Sequence, residues 1–206
     1  MPVPYREPGE PVPVPLRVEF AEDVFWTAVN VLQKLELPWV VYAGQCLGIY
    51  RENQIMPHGK DTDLDFALIV YGNDDEAKLR DQMRAAFEVA GFAYVGCTSV
   101  QVDGQYKLCQ FLASKDLCLV DVMVYHASRD MQTAFGLMVE GRKEYPLAWF
   151  MGRQGFWFKR MHLPMIWPAV EYLRLTYGEG WMLKPSEKRV WSEETHALQH
   201  GKHEWI

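Results

Sequence analysis

The residues of this chain best suited to chemistry are Asp61, Asp63 and Asp65, which alternate with threonine and apolar residues in the segment DTDLDF. In an extended strand, alternate side chains lie on the same face. Carboxylates that share a face repel each other unless a cation lies between them, and a pair at positions i and i+2 suits a hard divalent ion that also binds phosphate oxygens. An acidic strand end that only faces solvent has the same pattern, so this motif alone leaves both interpretations open.

A further aspartate favours the metal interpretation. Asp121 lies within residues 117–125, a run whose two faces are otherwise apolar, as in a central strand. A lone charge in such a strand is costly unless it is paired or bound to a metal. A salt-bridged aspartate near an exposed strand end would also explain it. Together with the alternating aspartates, a shared site for Mg²⁺ or Mn²⁺ explains Asp121 better.

Several residues near these aspartates are candidates for contacts with a phosphate. Gly44 and Gln45 lie where a predicted strand turns into a short helix, and a helix N terminus presents backbone N–H groups to anions. A simple tight turn would equally account for a glycine there. Arg51, His58 and Lys60 supply positive charge nearby. A surface ion pair for Arg51, and a solvated loop for the other two, are the alternatives.

The elements that must position these residues follow from apolar periodicity and turn residues. Helices are predicted at 21–35, at 45–51, from a cap at Asn73 followed by acidic residues to about 91, and at 168–177. Strands are predicted at 39–43, 61–70, 92–102, 106–113 and 117–125, with further strand-like sequence over 132–163. This mixture predicts an α/β or α+β domain in which helices flank a mixed β-sheet.

Composition is that of an ordinary globular protein, with 206 residues, 49% hydrophobic residues and a formal net charge of −6. We expect a single domain over residues 17–185, between a proline-rich extended arm at 1–16 and a polar tail at 186–206. An acidic chain is unsuited to tracking a long nucleic acid. A bound divalent cation would still let it accept a small phosphorylated substrate.

The cysteines and apolar segments bear on the cellular compartment. The four cysteines have no metal-ligand spacing, and three of them lie in apolar runs, as buried reduced thiols do. No stretch has the apolar length of a membrane span, and the first residues lack the apolar core of a signal peptide. These features predict a cytoplasmic protein with no membrane span.

Three blocks of residues, in order, resemble the LicD/fukutin family. The first comprises Gly44, Leu47, Gly48, Arg51, Pro57, Asp61 and Asp63. The second is Val120, Asp121 and Val122. The third comprises Pro164, Tyr172, Leu173, Tyr177, Gly178, Trp181 and Pro185. The resemblance therefore covers residues 44–185, most of the chain.

This resemblance implies a nucleotidyltransferase-like fold. It also implies metal-dependent transfer of a phospho-alcohol, such as phosphocholine or ribitol phosphate, from a CDP-linked donor to a glycan or another hydroxyl acceptor. By the same likeness, Asp61 and Asp63 match the catalytic metal-binding pair and Asp121 matches the third carboxylate. Tyr177 and Trp181 are candidates for stacking on a base or sugar, although aromatic residues at helical spacing more often pack in a core.

The chain also departs from the family pattern. Gln45 replaces the usual threonine or serine, and Asp65 stands where the family often has glycine. Asp65 makes an alternative pair, Asp63 with Asp65, closer to the general nucleotidyltransferase motif. The pair Asp61 and Asp63 is preferred because its distance from Gly44 fits the family spacing. Two other functions stay open: transfer of a whole nucleotide to a small molecule, protein or RNA end, and an inactive binding module of the same fold.

Replacing Asp63 with asparagine tests the metal interpretation. We expect Asp63→Asn to abolish transfer and to leave the fold intact, because it removes one of several crowded negative charges. The melting temperature of the metal-free variant should equal or exceed that of the wild type. A fall of many degrees would show instead that Asp63 belongs to a structural salt bridge.

Overall fold

The structure is a computed structural model, and it describes residues 18–55, 63–72, 75–102, 104–138, 141–151, 155–159 and 161–182. The predicted arm at 1–16 and the predicted tail at 186–206 lie outside the described residues. Within the described part of the chain, no helix combines the length and apolar composition that crossing a membrane requires.

Helices and strands alternate in the first half of the chain, and strands dominate the second half. The helices of the described residues are α1 Val18–Lys34, α2 Ala43–Glu52, α3 Glu76–Val89 and α4 Ala169–Tyr177, with a 3₁₀ turn at Leu147–Phe150. The described strands are β1 Trp39–Val41, β2 Asp63–Val70, β3 Ala93–Val102, β4 Gln105–Lys115, β5 Cys118–Ala127, β6 Thr133–Met138, β7 Gly141–Pro146, β8 Gly155–Phe158 and β9 Met161–Pro164. The strand-like sequence predicted over 132–163 is therefore four strands and the 3₁₀ turn.

A mixed sheet forms the centre of the fold. Among the described residues it has seven strands, in the order β1-β2-β5-β4-β3, with β6 pairing with the end of β5 and β7 pairing with β6. The pair β2–β5 is parallel, and the other pairs are antiparallel. Strands β8 and β9 form a separate hairpin. The predicted fold class, a mixed sheet flanked by helices, is confirmed.

Two element boundaries differ from the prediction for local reasons. The start of α3 is capped by Asp75, whose carboxylate accepts the backbone N–H groups of Ala77 and Lys78, so the predicted cap at Asn73 is wrong. Strand β1 ends at Val41, and α2 begins at Ala43, two residues earlier than expected. Ala43 has a φ of 40°, which turns the chain sharply from strand to helix.

One face of the sheet carries the main core. Phe66 on β2, Val122 on β5 and Phe111 on β4 are neighbours across the strands and are fully buried. Phe25 of α1 stacks on Phe66, with ring centroids 5.3 Å apart, and Phe87 of α3 lies 5.4 Å from Phe111. Helices α1 and α3 therefore cover this face, and the side chains between these core residues point to the opposite face.

The opposite face is covered at one end by a tyrosine cluster, consisting of Tyr42, Tyr125, Tyr145 and Tyr172. Neighbouring rings in the cluster lie 5.3–6.0 Å apart. The Tyr42 and Tyr125 hydroxyls are 2.6 Å apart, and the Tyr172 hydroxyl accepts the N–H of Ala43 at 3.2 Å. Burial raises the pKa of Tyr42 and Tyr172 well above the usual value, so both phenols stay protonated. The cluster thereby attaches the start of α2 to β5 and α4.

Substitution of Gly136 on β6 by alanine tests how tightly the tyrosine cluster is packed. A Cβ at Gly136 would lie 2.8 Å from Cε1 of Tyr125, whose ring is fully buried. We expect Gly136→Ala to lower the free energy of unfolding by about 1–3 kcal/mol, as overpacking does. Thermal or urea unfolding measures this loss.

Gly96 on β3 provides the matched control, because a Cβ there would meet no atom within 4 Å. We expect Gly96→Ala to leave stability unchanged or slightly raised. Equal losses for the two variants would show that the contact with Tyr125 is not the cause.

Candidate metal centre

Asp63, Asp65 and Asp121 lie together on the parallel strand pair at the centre of the sheet. Asp65 on β2 is directly opposite Asp121 on β5, and Asp63 is two residues earlier on β2. All three side chains therefore lie on the same face of the sheet. One carboxylate oxygen from each residue can be chosen so that all three lie within 4.8 Å of one another. Two members of the predicted site, Asp63 and Asp121, thus lie on adjacent strands.

Other predicted members of the site cannot be placed. Asp61, His58 and Lys60 lie outside the described residues. The preferred pair, Asp61 with Asp63, therefore stays a prediction. The described partner of Asp63 is Asp65, as in the alternative pair.

The first turn of α2 is attached to the acidic strand. The backbone N–H of Gly44 donates to Oδ2 of Asp65 at 2.9 Å, and the Gln45 side-chain amide donates to the Asp63 carbonyl at 3.2 Å. The positive end of the helix dipole therefore lies beside the carboxylates and partly offsets their charge. Gly44 and Gln45 are both buried, and their predicted contacts with a donor phosphate stay a prediction.

Asp121 is the most buried of the three aspartates, at 8% exposure. The Gln110 side-chain amide donates to its Oδ2 at 2.6 Å, whereas its Oδ1 is buried and has no hydrogen-bond partner among the described residues. Burial, together with the negative charge of Asp63, raises the pKa of Asp121 to about 7, although the Gln110 hydrogen bond acts in the opposite direction. A buried carboxylate in this condition needs either a proton or a cation.

The residues present fit a hard divalent ion. The available donors are carboxylate oxygens, which Mg²⁺ and Mn²⁺ prefer, and no sulfur or imidazole ligand belongs to this group. The unpartnered Oδ1 of Asp121 is the observation that favours an ion over a merely solvated acidic cluster. The structure thus supports a metal centre of three carboxylates.

Sequence reasoning missed Gln110. It lies in β4 between the buried residues Cys109 and Phe111, and its side chain points to the same face as Asp121. The available signal was a polar residue within the otherwise apolar segment LCQFLA. Because a glutamine in a strand can equally face solvent, that signal becomes informative only once β4 is known to pair with β5.

Other candidate residues lie at the far end of α2. Arg51 is seven residues after Gly44, which corresponds to about 10 Å along a helix. Its side chain, 5% exposed, pairs with Glu52 at 2.5 Å and donates to the Trp181 carbonyl at 3.2 Å. The Trp181 ring is buried 5.8 Å from that of Tyr50, and Tyr177 is partly buried. Phosphate binding by Arg51 and stacking by Tyr177 and Trp181 stay predictions.

The raised pKa of Asp121 has a consequence for stability. Between about pH 4 and pH 7 the carboxyl ionises in the unfolded chain but keeps its proton in the folded one, so ionisation favours unfolding as pH rises through this window. We expect Asp121→Asn to stabilise the metal-free protein at pH 8 by on the order of a few kcal/mol, and to change little at pH 4. Thermal unfolding in EDTA measures this.

Asp116, exposed in the turn before β5, supplies the control. Its φ of 51° suits asparagine, so Asp116→Asn should keep the wild-type fold, and its stability is compared with that of Asp121→Asn at both pH values. A gain from Asp121→Asn that is equal at both pH values would contradict the raised pKa.

Comparisons with known proteins agree with this fold. No family model matches the chain. The chain is 26% identical over 170 residues to human ribitol-5-phosphate transferase FKTN, covering 79% of this chain and 33% of that protein. The Macaca fascicularis FKTN protein is 25% identical over the same shares. The chain thus spans about a third of the length of the curated relatives it matches.

A solved structure shows the same architecture. The lincosamide antibiotic adenylyltransferase LnuA, bound to lincomycin, aligns with a TM-score of 0.50 and 12% identity, over 81% of this chain and 90% of that one. At this identity the likeness concerns the fold. The predicted nucleotidyltransferase-like sheet is therefore confirmed, and the chain shares its fold with a nucleotidyltransferase.

Proposed function

We propose that this chain is a metal-dependent transferase that moves a phospho-alcohol from a CDP-linked donor to a hydroxyl acceptor such as a glycan. The observation that carries this proposal is the convergence of Asp63, Asp65 and Asp121, together with the buried and unpartnered Oδ1 of Asp121. Similarity to a ribitol-5-phosphate transferase over 79% of the chain supports the class of group transferred. A shared fold with an adenylyltransferase supports chemistry at a nucleotide-linked phosphorus.

The carboxylates lie on a face that a substrate can reach. Asp63 and Asp65 are partly exposed, whereas Leu64 and Phe66, which point to the other face of β2, are fully buried. On β3, a Cβ at Gly96 would meet nothing within 4 Å, and Gly96 lies opposite Leu112, the neighbour of Asp121. A row of residues on this face therefore leads from the acidic group across β5 and β4 to open space over β3.

The three aspartates would hold one or two divalent ions. When bound, such an ion neutralises the donor diphosphate and polarises the phosphorus that the acceptor hydroxyl attacks. The protein itself fixes the positions of the ligands. Strands β2 and β5 set the spacing of the carboxylates, and the hydrogen bond from the Gly44 N–H orients Asp65. Catalysis of this kind depends mainly on positioning and on charge stabilisation.

We assign Asp63 and Asp65 as the pair on β2. Asp65 is paired with Asp121 across the two strands, and one oxygen from each of the three carboxylates can be chosen so that all three lie within 4.8 Å of one another. The pair of Asp61 with Asp63, which the family resemblance implies, stays a prediction because Asp61 lies outside the described residues.

Products distinguish this proposal from nucleotidyl transfer. Attack on the alcohol-side phosphorus of a CDP-linked donor releases CMP. Transfer of a nucleotide from CTP or ATP releases pyrophosphate. Incubation of the chain with both kinds of donor, a hydroxyl acceptor and Mn²⁺, followed by chromatography of the nucleotides, identifies the reaction. Pyrophosphate release without CMP release would overturn the proposed transfer, and an inactive binding module would release neither.

Binding of the donor should depend on metal. A diphosphate that enters a site of three carboxylates meets like charge, and a divalent ion reverses the local potential and offers coordination positions to phosphate oxygens. By calorimetry we expect CDP-choline or CDP-ribitol to bind at least about tenfold more tightly with Mn²⁺ than in EDTA, and the donor to tighten Mn²⁺ binding by the same factor. CDP-linked alcohols should also bind more tightly than UDP- or GDP-linked sugars.

Two variants make this test specific. Asp63→Asn should remove the metal dependence, and Asp116→Asn, which changes an exposed turn residue, should keep it. Equal donor affinity with and without metal would contradict the proposed site. Equal binding of all nucleotide bases would contradict only the preference for cytidine.

A further inference from the structure

Gln110 connects the acidic group to the antiparallel side of the sheet. Its amide nitrogen donates to Oδ2 of Asp121 at 2.6 Å, and its carbonyl oxygen accepts from the Thr98 hydroxyl at 3.4 Å. Thr98 and Gln110 are paired directly across β3 and β4, whereas Gln110 reaches Asp121 diagonally, because Leu112 is the residue opposite Asp121. The arrangement is a polar row of three side chains on three adjacent strands.

The direction of these hydrogen bonds is set by chemistry. A carboxylate only accepts, so the nitrogen end of the Gln110 amide must face Asp121. The Thr98 hydroxyl, which can donate or accept, then donates to the oxygen end. The bond from Gln110 to the carboxylate is short and of the charge-assisted class, which is stronger than a bond between neutral groups. Oδ2 of Asp121 is therefore held by the protein, and Oδ1 is the oxygen left for an ion.

We propose that Gln110 is a positioning residue that restricts Asp121 to one coordinating oxygen, so that the site prefers Mg²⁺ or Mn²⁺ to Ca²⁺. This inference rests on the metal centre of the proposed function. Mg²⁺ requires near-octahedral coordination at about 2.0–2.1 Å, whereas Ca²⁺ takes six to eight ligands at about 2.3–2.6 Å and readily accepts both oxygens of one carboxylate. A carboxylate with one oxygen already bound favours the smaller ion.

A second carboxylate is held in the same way. Oδ2 of Asp65 accepts the Gly44 N–H at 2.9 Å, so one of its oxygens also has a protein donor. Two of the three ligands thus approach a shared ion under constraint from different elements, α2 for Asp65 and β4 for Asp121. Of these two hydrogen bonds, only the one from Gln110 is donated by a side chain, so a substitution can remove it without changing the backbone.

The test compares metal affinities of the wild-type chain and the Gln110→Met variant, which keeps the length of the side chain and removes the amide. Calorimetric titration with Mn²⁺, Mg²⁺ and Ca²⁺, without nucleotide, gives the three affinities. We expect Mn²⁺ and Mg²⁺ binding to weaken by about 10- to 100-fold, as loss of an outer-shell partner does, and Ca²⁺ binding to weaken much less. The ratio of Mn²⁺ to Ca²⁺ affinity should therefore fall about tenfold or more.

Matched variants separate positioning from general damage. Gln105→Met alters an exposed glutamine at the start of the same strand and should leave all three affinities unchanged. Thr98→Val should lower the Mn²⁺ to Ca²⁺ ratio by a few-fold, and Thr98→Ser, which keeps the hydroxyl, should restore it. Circular dichroism and melting temperature establish that each variant is folded. If Gln110→Met does not fold, the Thr98 pair gives the same comparison.

The outcomes distinguish this inference from the proposed function. Parallel losses of Mn²⁺ and Ca²⁺ affinity in Gln110→Met, with an unchanged ratio, would overturn the positioning role and leave the metal centre in place. An unchanged ratio in Thr98→Val would overturn the positioning role as well. A wild-type chain that binds no divalent ion would overturn the metal centre and this inference with it.

Discussion

The parallel pairing of β2 with β5 is the constraint on which this site depends. It places Asp65 opposite Asp121 in the middle of a sheet, with Asp63 beside them, where the chain would otherwise avoid concentrating negative charge. Three carboxylates with oxygens within 4.8 Å of one another are stable only if something offsets their charge. The protein supplies part of that compensation through the Gly44 N–H, the dipole of α2 and the Gln110 amide. A divalent ion supplies the remainder in the function we propose.

The rest of the fold keeps this arrangement rigid. The helix-covered face of the sheet is apolar throughout its centre, so the strands cannot slip in register without exposing Phe66 and Val122. On the opposite face, the tyrosine cluster fixes the point at which β1 turns into α2. The Tyr172 hydroxyl of α4 accepts a hydrogen bond from the first N–H of that helix. The tyrosine cluster therefore serves the site indirectly. It holds the helix whose first turn is bonded to the acidic strand.

Sequence reasoning reached the parts of this site that local patterns encode. The alternation of Asp63 and Asp65 and the lone charge of Asp121 in an apolar run are visible without any pairing information. The partnership of Asp65 with Asp121 was not accessible, because register depends on which strands become neighbours. Gln110 was missed for the same reason, since it reaches Asp121 only across the β4–β5 pair. The helices were predictable from their apolar periodicity. The cap of α3 was not, because neighbouring polar residues can also cap a helix and only the backbone conformation selects Asp75.

A proton and a metal ion compete for the same oxygen in this arrangement. Because Oδ2 of Asp121 already accepts from Gln110, a proton on the buried carboxyl would bind Oδ1, the oxygen that we propose for the ion. Burial and the charge of Asp63 raise the pKa of Asp121, so the metal-free carboxyl keeps its proton to a higher pH than an ordinary aspartate does. Binding of an ion must then release that proton, which couples metal affinity to pH. The burial that makes an ionised Asp121 costly therefore also makes its charge in the neutral range depend on whether a cation balances it.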